Sequence, residues 1–437
     1  MSRKDTFCIM PFVHLHNMSS GLLKMCCLVE KPITDDFGDT YFIGNQPIEE
    51  VWNSNFLKSA RQLMLDNQEI KMCDQCYSIE DSGGKSLRNE YNENYKERFI
   101  SFVEEAKQND GKINTFPPFV ELRTGNTCNS ACRMCNTNDS SLIYKENTEI
   151  HNTLKFKGFD SKTVERGYRT MGQPERIIFG LRDDRLSDRV MDLDQHFDEI
   201  IENIKNIKII TLSGGEPFLL EKTAVLLEEL ATKNPDVMLY VNTNGSIIND
   251  RLVNALNRIN EVRICVSLDG HGKTQEYIRY PLKWDKIEKN IYEIKSLTRQ
   301  GFYLNFNITV QAYNILNLDP LLTMLVKDFT GHHVNLSFLS SPAHLAVQNL
   351  PMVVKQRAVE LNQALSEKLR NIDTVPGYKT ENKLRLADRL LELNSFMLAE
   401  KNPDPEFFEH LKANVEIYDH YRKQNTPDYL PDWAPFL

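Results

Sequence analysis

The chain has 437 residues, a net charge of −9 and 41% hydrophobic residues, enough for two or three structural units around a large buried core. An acidic balance argues against a broad phosphate-binding surface, so no nucleic-acid partner is expected. No run of about eighteen apolar residues appears, and the opening Met1-Ser-Arg-Lys-Asp-Thr lacks the apolar core of a signal peptide, so no membrane partner and a cytoplasmic location are expected.

Nine cysteines in a chain read as non-secreted point to metal or catalysis rather than to disulfides. The first hundred residues hold Cys8, then Gly21, then Cys26-Cys27, then Cys73 and Cys76 as a C-x2-C pair. Between them run Gly44-Asn45 and Ile48 to Ser54, a turn followed by a helix-like pattern. C-x2-C is also a common zinc half-site, so spacing alone leaves iron and zinc open here. His14-Leu-His16, like His332-His333 further on, suggests either metal ligation or, as the preferred reading, strand residues near a cavity.

The apolar stretch Phe119 to Arg123 leads into Cys128-x3-Cys132-x2-Cys135. Three thiolates on one short loop can hold three corners of an iron–sulfur cube, and a [4Fe–4S] cluster normally takes four cysteines, so one iron is left for a group that is not protein. The alternative is a zinc site or structural thiols. Zinc usually closes its tetrahedron with four protein ligands, and no fourth Cys or His follows within a few residues.

Residues 141–205 are too long for a simple crossover and are expected to contain extra helices. Within them Arg166, Arg169, Arg176, Arg182, Arg185 and Arg189 are interleaved with Asp183, Asp184 and Asp188, which reads as a solvated insertion, with a substrate lid as the other reading. Strand-like runs at 119–123, 207–212, 237–241, 262–268, 303–310 and 334–339 alternate with helical patterns at 224–231, 248–258, 284–297 and 316–327. Such alternation implies parallel strands with helical crossovers. Cys265, inside the 262–268 run, reads as a small buried residue.

The run 207–212 ends in Ser213-Gly214-Gly215-Glu216-Pro217, whose glycines let the backbone approach a ligand and whose carboxylate suits an ammonium group. Asn242-Thr-Asn-Gly245 and Ser267-Leu-Asp-Gly270 end the next two runs. After Pro351 the chain turns helical over 355–370, 381–400 and 406–423. The tail from Asp428 to Leu437 reads as a loose end, or as a strap across a barrel mouth.

In this order, the cysteine loop, the Gly-Gly-Glu strand end and the Ser-Leu-Asp-Gly strand end resemble the radical S-adenosylmethionine (SAM) superfamily over roughly residues 115–345. The resemblance implies an α/β fold with a partial (β/α)6 TIM-like barrel, its motifs on loops at the strand C-terminal ends. It implies that Cys128, Cys132 and Cys135 bind a [4Fe–4S] cluster, that Gly214, Gly215 and Glu216 receive the methionine amino group, and that Ser267 and Arg279 bind its carboxylate. The residue before the third cysteine, usually aromatic, is Met134, whose thioether can pack beside the adenine.

Cys8-x12-Gly21-x4-Cys26, closed by Cys73-x2-Cys76, resembles the twitch domain, a shorter relative of the SPASM domain. That implies an auxiliary [4Fe–4S] cluster on Cys8, Cys26, Cys73 and Cys76, with Cys27 left out by spacing. The module normally follows the barrel, and here it precedes it. The expected domains are therefore a twitch-like module at 1–105, a barrel at 115–345 with the insertion at 141–205, and a helical extension at 350–437.

What the resemblance implies chemically is reductive cleavage of SAM to a 5′-deoxyadenosyl radical, fed by a reducing partner such as flavodoxin or ferredoxin. A fully cysteine-ligated second cluster has no open iron, so its expected task is to accept the substrate's electron in an oxidative modification. A peptide or protein side chain is the first expectation for substrate and a sugar-like small molecule the second. An iron–sulfur electron carrier or zinc-binding scaffold is the reading from another class, but it has no use for the methionine-binding strand ends.

Overall fold

The computed structural model describes residues 5–29, 31–171, 194–373 and 381–436. Its strands are β1 (His14–Asn17), β2 (Leu23–Lys24), β3 (Phe119–Arg123), β4 (Ile209–Ser213), β5 (Met238–Thr243), β6 (Glu261–Ser267), β7 (Phe302–Val310) and β8 (His333–Phe338). They form one sheet in the order β2-β1-β3-β4-β5-β6-β7-β8. The β1–β2 pair is antiparallel, and β1–β3, β3–β4, β4–β5 and β7–β8 are parallel. The sheet is open, a partial TIM-like barrel with a helical C-terminal region.

Period-two patterning explains the strands. Along β6, Val262, Ile264 and Val266 are buried while Arg263, Cys265 and Ser267 are half-exposed, so one sheet face is apolar and the other polar. Cys265 thus lies on the polar face, half-exposed, rather than among the buried apolar residues. The crossover helices show the complementary period: Glu221–Lys233 buries Leu226, Leu227 and Leu230, and Trp284–Ser296 buries Ile287, Ile291 and Ile294.

The six expected barrel strands fall within two residues of their expected bounds. The difference lies at the N-terminus, where β1 and β2 join the same sheet and His16 stands beside Glu121 in register. The strand character of His14-Leu-His16 was expected, but its place in the same sheet, paired with β3, was not.

Two compact units are present, the first made of Met1–Asn126, Asp188–Val241 and Asp250–Val262 and the second of Thr127–Ser187, Asn242–Asn249 and Arg263–Leu437. In the first, the fully buried Arg61 guanidinium donates to the carbonyls of Pro11, Trp52 and Gly111. These bonds satisfy a charge that burial would otherwise penalise.

In the second unit, helix Pro405–Arg422 shares a core with helix Ser141–Thr153 through Ile143, Ile150, Ile417 and Tyr418. The insertion does contain extra helices. Of its basic residues, Arg166 pairs with Glu406 and Glu409, and Arg169 with Glu165. Arg176, Arg182, Arg185 and Arg189, with Asp183, Asp184 and Asp188, lie outside the described residues. The tail is not a loose end, because Leu430 and Trp433 are buried and the Tyr429 carbonyl accepts from Thr274. Leu437 lies outside the described residues.

Candidate active site

The first unit carries the ends of β3 and β4. Thr124 N–H donates to the Ser213 carbonyl at 2.8 Å and Gly215 N–H to the Gly125 carbonyl at 2.8 Å. Gly214 has φ +115°, and a Cβ there would sit 2.7 Å from the Gly125 oxygen and 2.9 Å from the Thr124 nitrogen. Close approach of the two strand ends therefore demands glycine, independently of any ligand. Glu216 is fully buried and one carboxylate oxygen accepts the Phe218 N–H, which starts the short turn Pro217–Leu219.

The same unit gathers Cys8, Cys26, Cys73 and Cys76 around one apolar cavity that Met25 and Met64 also line. Burial, with the Cys73 and Cys76 sulfurs adding, pushes the Cys8 thiol up to about 12. Cys73 is likewise pushed up to about 12 by burial and by Cys76. Cys27 is not in that lining. Its thiol is drawn down to about 6 by a hydrogen bond from Cys26, against the effect of burial, with a smaller contribution from Tyr91.

In the second unit Cys128, Cys132 and Cys135 lie on an irregular loop that backbone and side-chain bonds hold in place. Ala131 N–H donates to the Tyr280 carbonyl at 2.6 Å and Arg133 N–H to the Ile278 carbonyl at 2.9 Å. Asn129 bridges to the turn after β5, donating to Ser246 and accepting from Asn244, each at 2.9 Å. The Cys132 sulfur is 2.8 Å from the Ser130 hydroxyl and 3.8 Å from Arg279 Nη1. Burial raises the Cys135 thiol well above its usual value, and the sulfurs of Cys132 and Cys128 add to it.

Arg279 is buried and donates through Nε to Asp269 at 2.8 Å. Asp269 is itself fully buried and accepts the Thr309 N–H at 2.8 Å. Burial alone would depress the guanidinium pKa, but Asp269 and the Cys132 sulfur raise it, so Arg279 stays charged. Ser267 ends β6 half-exposed, and Met134 is half-buried between Arg133 and Cys135.

Neither cysteine group closes into a single-ion site. Among the described residues, the ligand atoms lying within 4.8 Å of one another as a set are those of His14, His16 and Glu121. Three thiols on one loop and four around one cavity are donor sets that iron–sulfur clusters and zinc both take.

In the first unit Cys8, Cys26, Cys73 and Cys76 line one cavity, and that unit also holds Gly214, Gly215 and Glu216; in the second the Cys132 sulfur lies 3.8 Å from Arg279. Sequence reasoning missed the residues that hold these in place. Asp269 was visible in the Ser-Leu-Asp-Gly strand end. Arg133 lies between two cysteines, but its partner Asp419, in a distant helix, carried no local signal.

His332 and His333 stand at the N-terminal start of β8, with the His332 ring 3.1 Å from the Leu304 carbonyl. That end is opposite to the one where the strands of such barrels place their chemistry.

Among solved structures, the chain is similar to "Native anSMEcpe with bound AdoMet and Cp18Cys peptide" at 17% identity and TM-score 0.31, covering 40% of this chain and 52% of that one. It is also similar to Streptococcus suis SuiB bound to S-adenosylmethionine, at 13% identity and TM-score 0.33, covering 73% of this chain and 65% of that one. The chain thus spans about half the length of the first of these structures. No curated protein matches it. Residues 122–311, which run from β3 past the end of β7 and contain the cysteine triplet and both strand-end motifs, match the family model described as the Radical SAM superfamily.

Proposed function

We propose that the chain is a SAM-cleaving enzyme that oxidatively modifies a peptide or protein, with a second cluster in its N-terminal cavity taking up the electron. The observation that carries this reading is the pair of cysteine sets, three on one loop and four lining one cavity. Radical SAM enzymes use SAM and a [4Fe–4S] cluster, which together supply a hydrogen-abstracting radical.

In this reading Cys128, Cys132 and Cys135 hold one cluster and leave a vertex open, while Arg279, paired with Asp269, lies 3.8 Å from the Cys132 sulfur. Gly214, Gly215 and Glu216 offer carbonyls and a carboxylate to the methionine ammonium, Ser267 and Arg279 face its carboxylate, and Met134 flanks the adenine. Cys8, Cys26, Cys73 and Cys76 hold the second cluster. Burial raises the Cys8 and Cys73 thiols, so a metal must displace their protons, as ligation of Cys requires.

Substrate contact falls to the polar sheet face. On β7 and β8, Asn307 and Thr309 stand beside Asn335 and Ser337 in register. Amides and hydroxyls of this kind hydrogen-bond peptide backbone groups in both senses.

Anaerobic reconstitution tests the reading. About eight irons per chain, with deoxyadenosine formed under a strong reductant, are expected for two clusters. Cys73→Ala with Cys76→Ala should remove about half the iron while uncoupled SAM cleavage persists. Zinc as the sole bound metal, or absence of deoxyadenosine, contradicts the enzyme reading.

A further inference from the structure

The cysteines do not account for the densest ligand set in the chain. His14 Nε2 lies 3.2 Å from one Glu121 oxygen and His16 Nδ1 lies 3.2 Å from the other. The three donor atoms fall within 4.8 Å of one another. Both histidines come from β1 and the glutamate from β3, and parallel pairing sets His16 directly beside Glu121. The arrangement is fixed by two rigid strands rather than by loops.

We propose that His14, His16 and Glu121 bind one divalent first-row transition metal ion, separate from any cluster.

Geometry favours this over a simple ion pair. Two ligands each about 2.1 Å from one ion at a near-tetrahedral angle are about 3.4 Å apart, close to the two 3.2 Å separations. His16 Nδ1 approaches Glu121 but is off-line for a hydrogen bond, and among the described residues it has no other partner. The His14 and His16 side chains are 0% and 2% exposed, so an unpartnered ring nitrogen there carries a desolvation cost that a metal bond offsets.

Protonation states agree. Burial lowers the His16 pKa, the neutral form that a metal needs. Glu121 stays well below the usual carboxylate range, since burial opposes ionisation but the contacts with His14 and His16 outweigh it. Lys24 stands opposite His16 across the β1–β2 pair, so Glu121 supplies the negative charge that makes cation binding favourable.

Two imidazoles and a carboxylate suit zinc or ferrous iron rather than calcium or magnesium. Three protein ligands also leave a coordination position for a water or for an oxygen of a bound molecule.

The test is equilibrium dialysis of the cluster-loaded protein against zinc under anaerobic conditions, with zinc and iron counted together by mass spectrometry. One zinc per chain beyond the iron is expected, lost in the His14→Gln, His16→Gln double variant and at least tenfold weaker in Glu121→Gln, with iron content unchanged. Zinc binding that both variants retain, or no binding by the parent protein, overturns the proposal. If the double variant loses its iron or its thermal transition, the nearly isosteric Glu121→Gln decides. None of these outcomes depends on SAM cleavage, so the metal site and the enzymatic reading fail separately.

Discussion

Arg133 and Asp419 are 286 residues apart in sequence, yet guanidinium and carboxylate meet at 2.6 Å. Three residues on, Arg422 donates to the Ala131 carbonyl at 2.7 Å and pairs with Glu146. Helix Pro405–Arg422 therefore grips Cys132 on both flanks, at Ala131 and at Arg133. The Arg133 guanidinium also lies 3.7 Å from the centre of the Tyr277 ring, and the Tyr277 hydroxyl donates to the same Asp419 carboxylate. The C-terminal helix is thus part of the support of the cysteine loop.

Asp419→Ala should therefore act on the loop. The Arg133 side chain is 0% exposed, and removing one partner of a buried pair costs about 3–5 kcal/mol because a charge is left uncompensated. Denaturant unfolding of the iron-free protein should show a loss near the lower figure, since Gln424 still accepts from Arg133. Iron bound after reconstitution should fall as well. An unchanged midpoint with full iron content would show that the loop is held without this helix.

Gly214→Ala separates backbone demand from ligand binding. The added methyl meets two backbone atoms at 2.7 and 2.9 Å, neither of which can rotate away. Overpacking of this kind costs about 1–3 kcal/mol, and the positive φ adds strain. The variant should lose soluble yield and unfold earlier even in the absence of SAM and iron. Normal stability with loss of SAM binding alone would return the glycine to a purely ligand-facing role.

What the sequence made legible follows from the range of the interactions involved. The barrel strands and crossover helices were readable because their period is written in consecutive residues, as in Val262, Ile264 and Val266 of β6. The cysteine triplet was readable because its three cysteines lie on one loop. The strand at His14-Leu-His16 was readable as well, but its pairing with β3, more than a hundred positions away, was not. The Arg133–Asp419 contact and the His14–His16–Glu121 trio were hidden for the same reason. Each joins polar residues with no local pattern, and only the fold makes them neighbours.

A pH dependence follows from His344, buried beside His410. Burial, with His410 adding, lowers its pKa from 6.5 to about 4. The unfolded chain takes up this proton first as pH falls below 6.5, while the native histidine stays neutral until about 4. Its contribution is therefore present above 6.5 and is lost on acidification between those values, at about 1.4 kcal/mol per pH unit. His344→Gln should remove that slope, so the stability gap between parent and variant should change by about 2 kcal/mol between pH 7.5 and pH 5. Parallel stability curves over that range would show that His344 titrates alike in both states.

The buried Arg279 guanidinium has Asp269 as its carboxylate partner. Asp269 accepts from Arg279 through one oxygen and from the Thr309 N–H through the other, while its own N–H and that of Gly270 donate to the Gln275 side chain. Asp269→Ala strips the guanidinium of its partner in a buried site and leaves a backbone donor unmet, so a loss of about 3–5 kcal/mol is expected on unfolding the iron-free protein. Asp269→Asn keeps an acceptor for Thr309 but not the charge. It should recover part of the stability while binding iron at the triplet less tightly than the parent, because Arg279 is then free to turn from the Cys132 sulfur, 3.8 Å away. If the asparagine variant matched the parent in both stability and iron retention, the hydrogen-bond shape of Asp269 would matter and its charge would not.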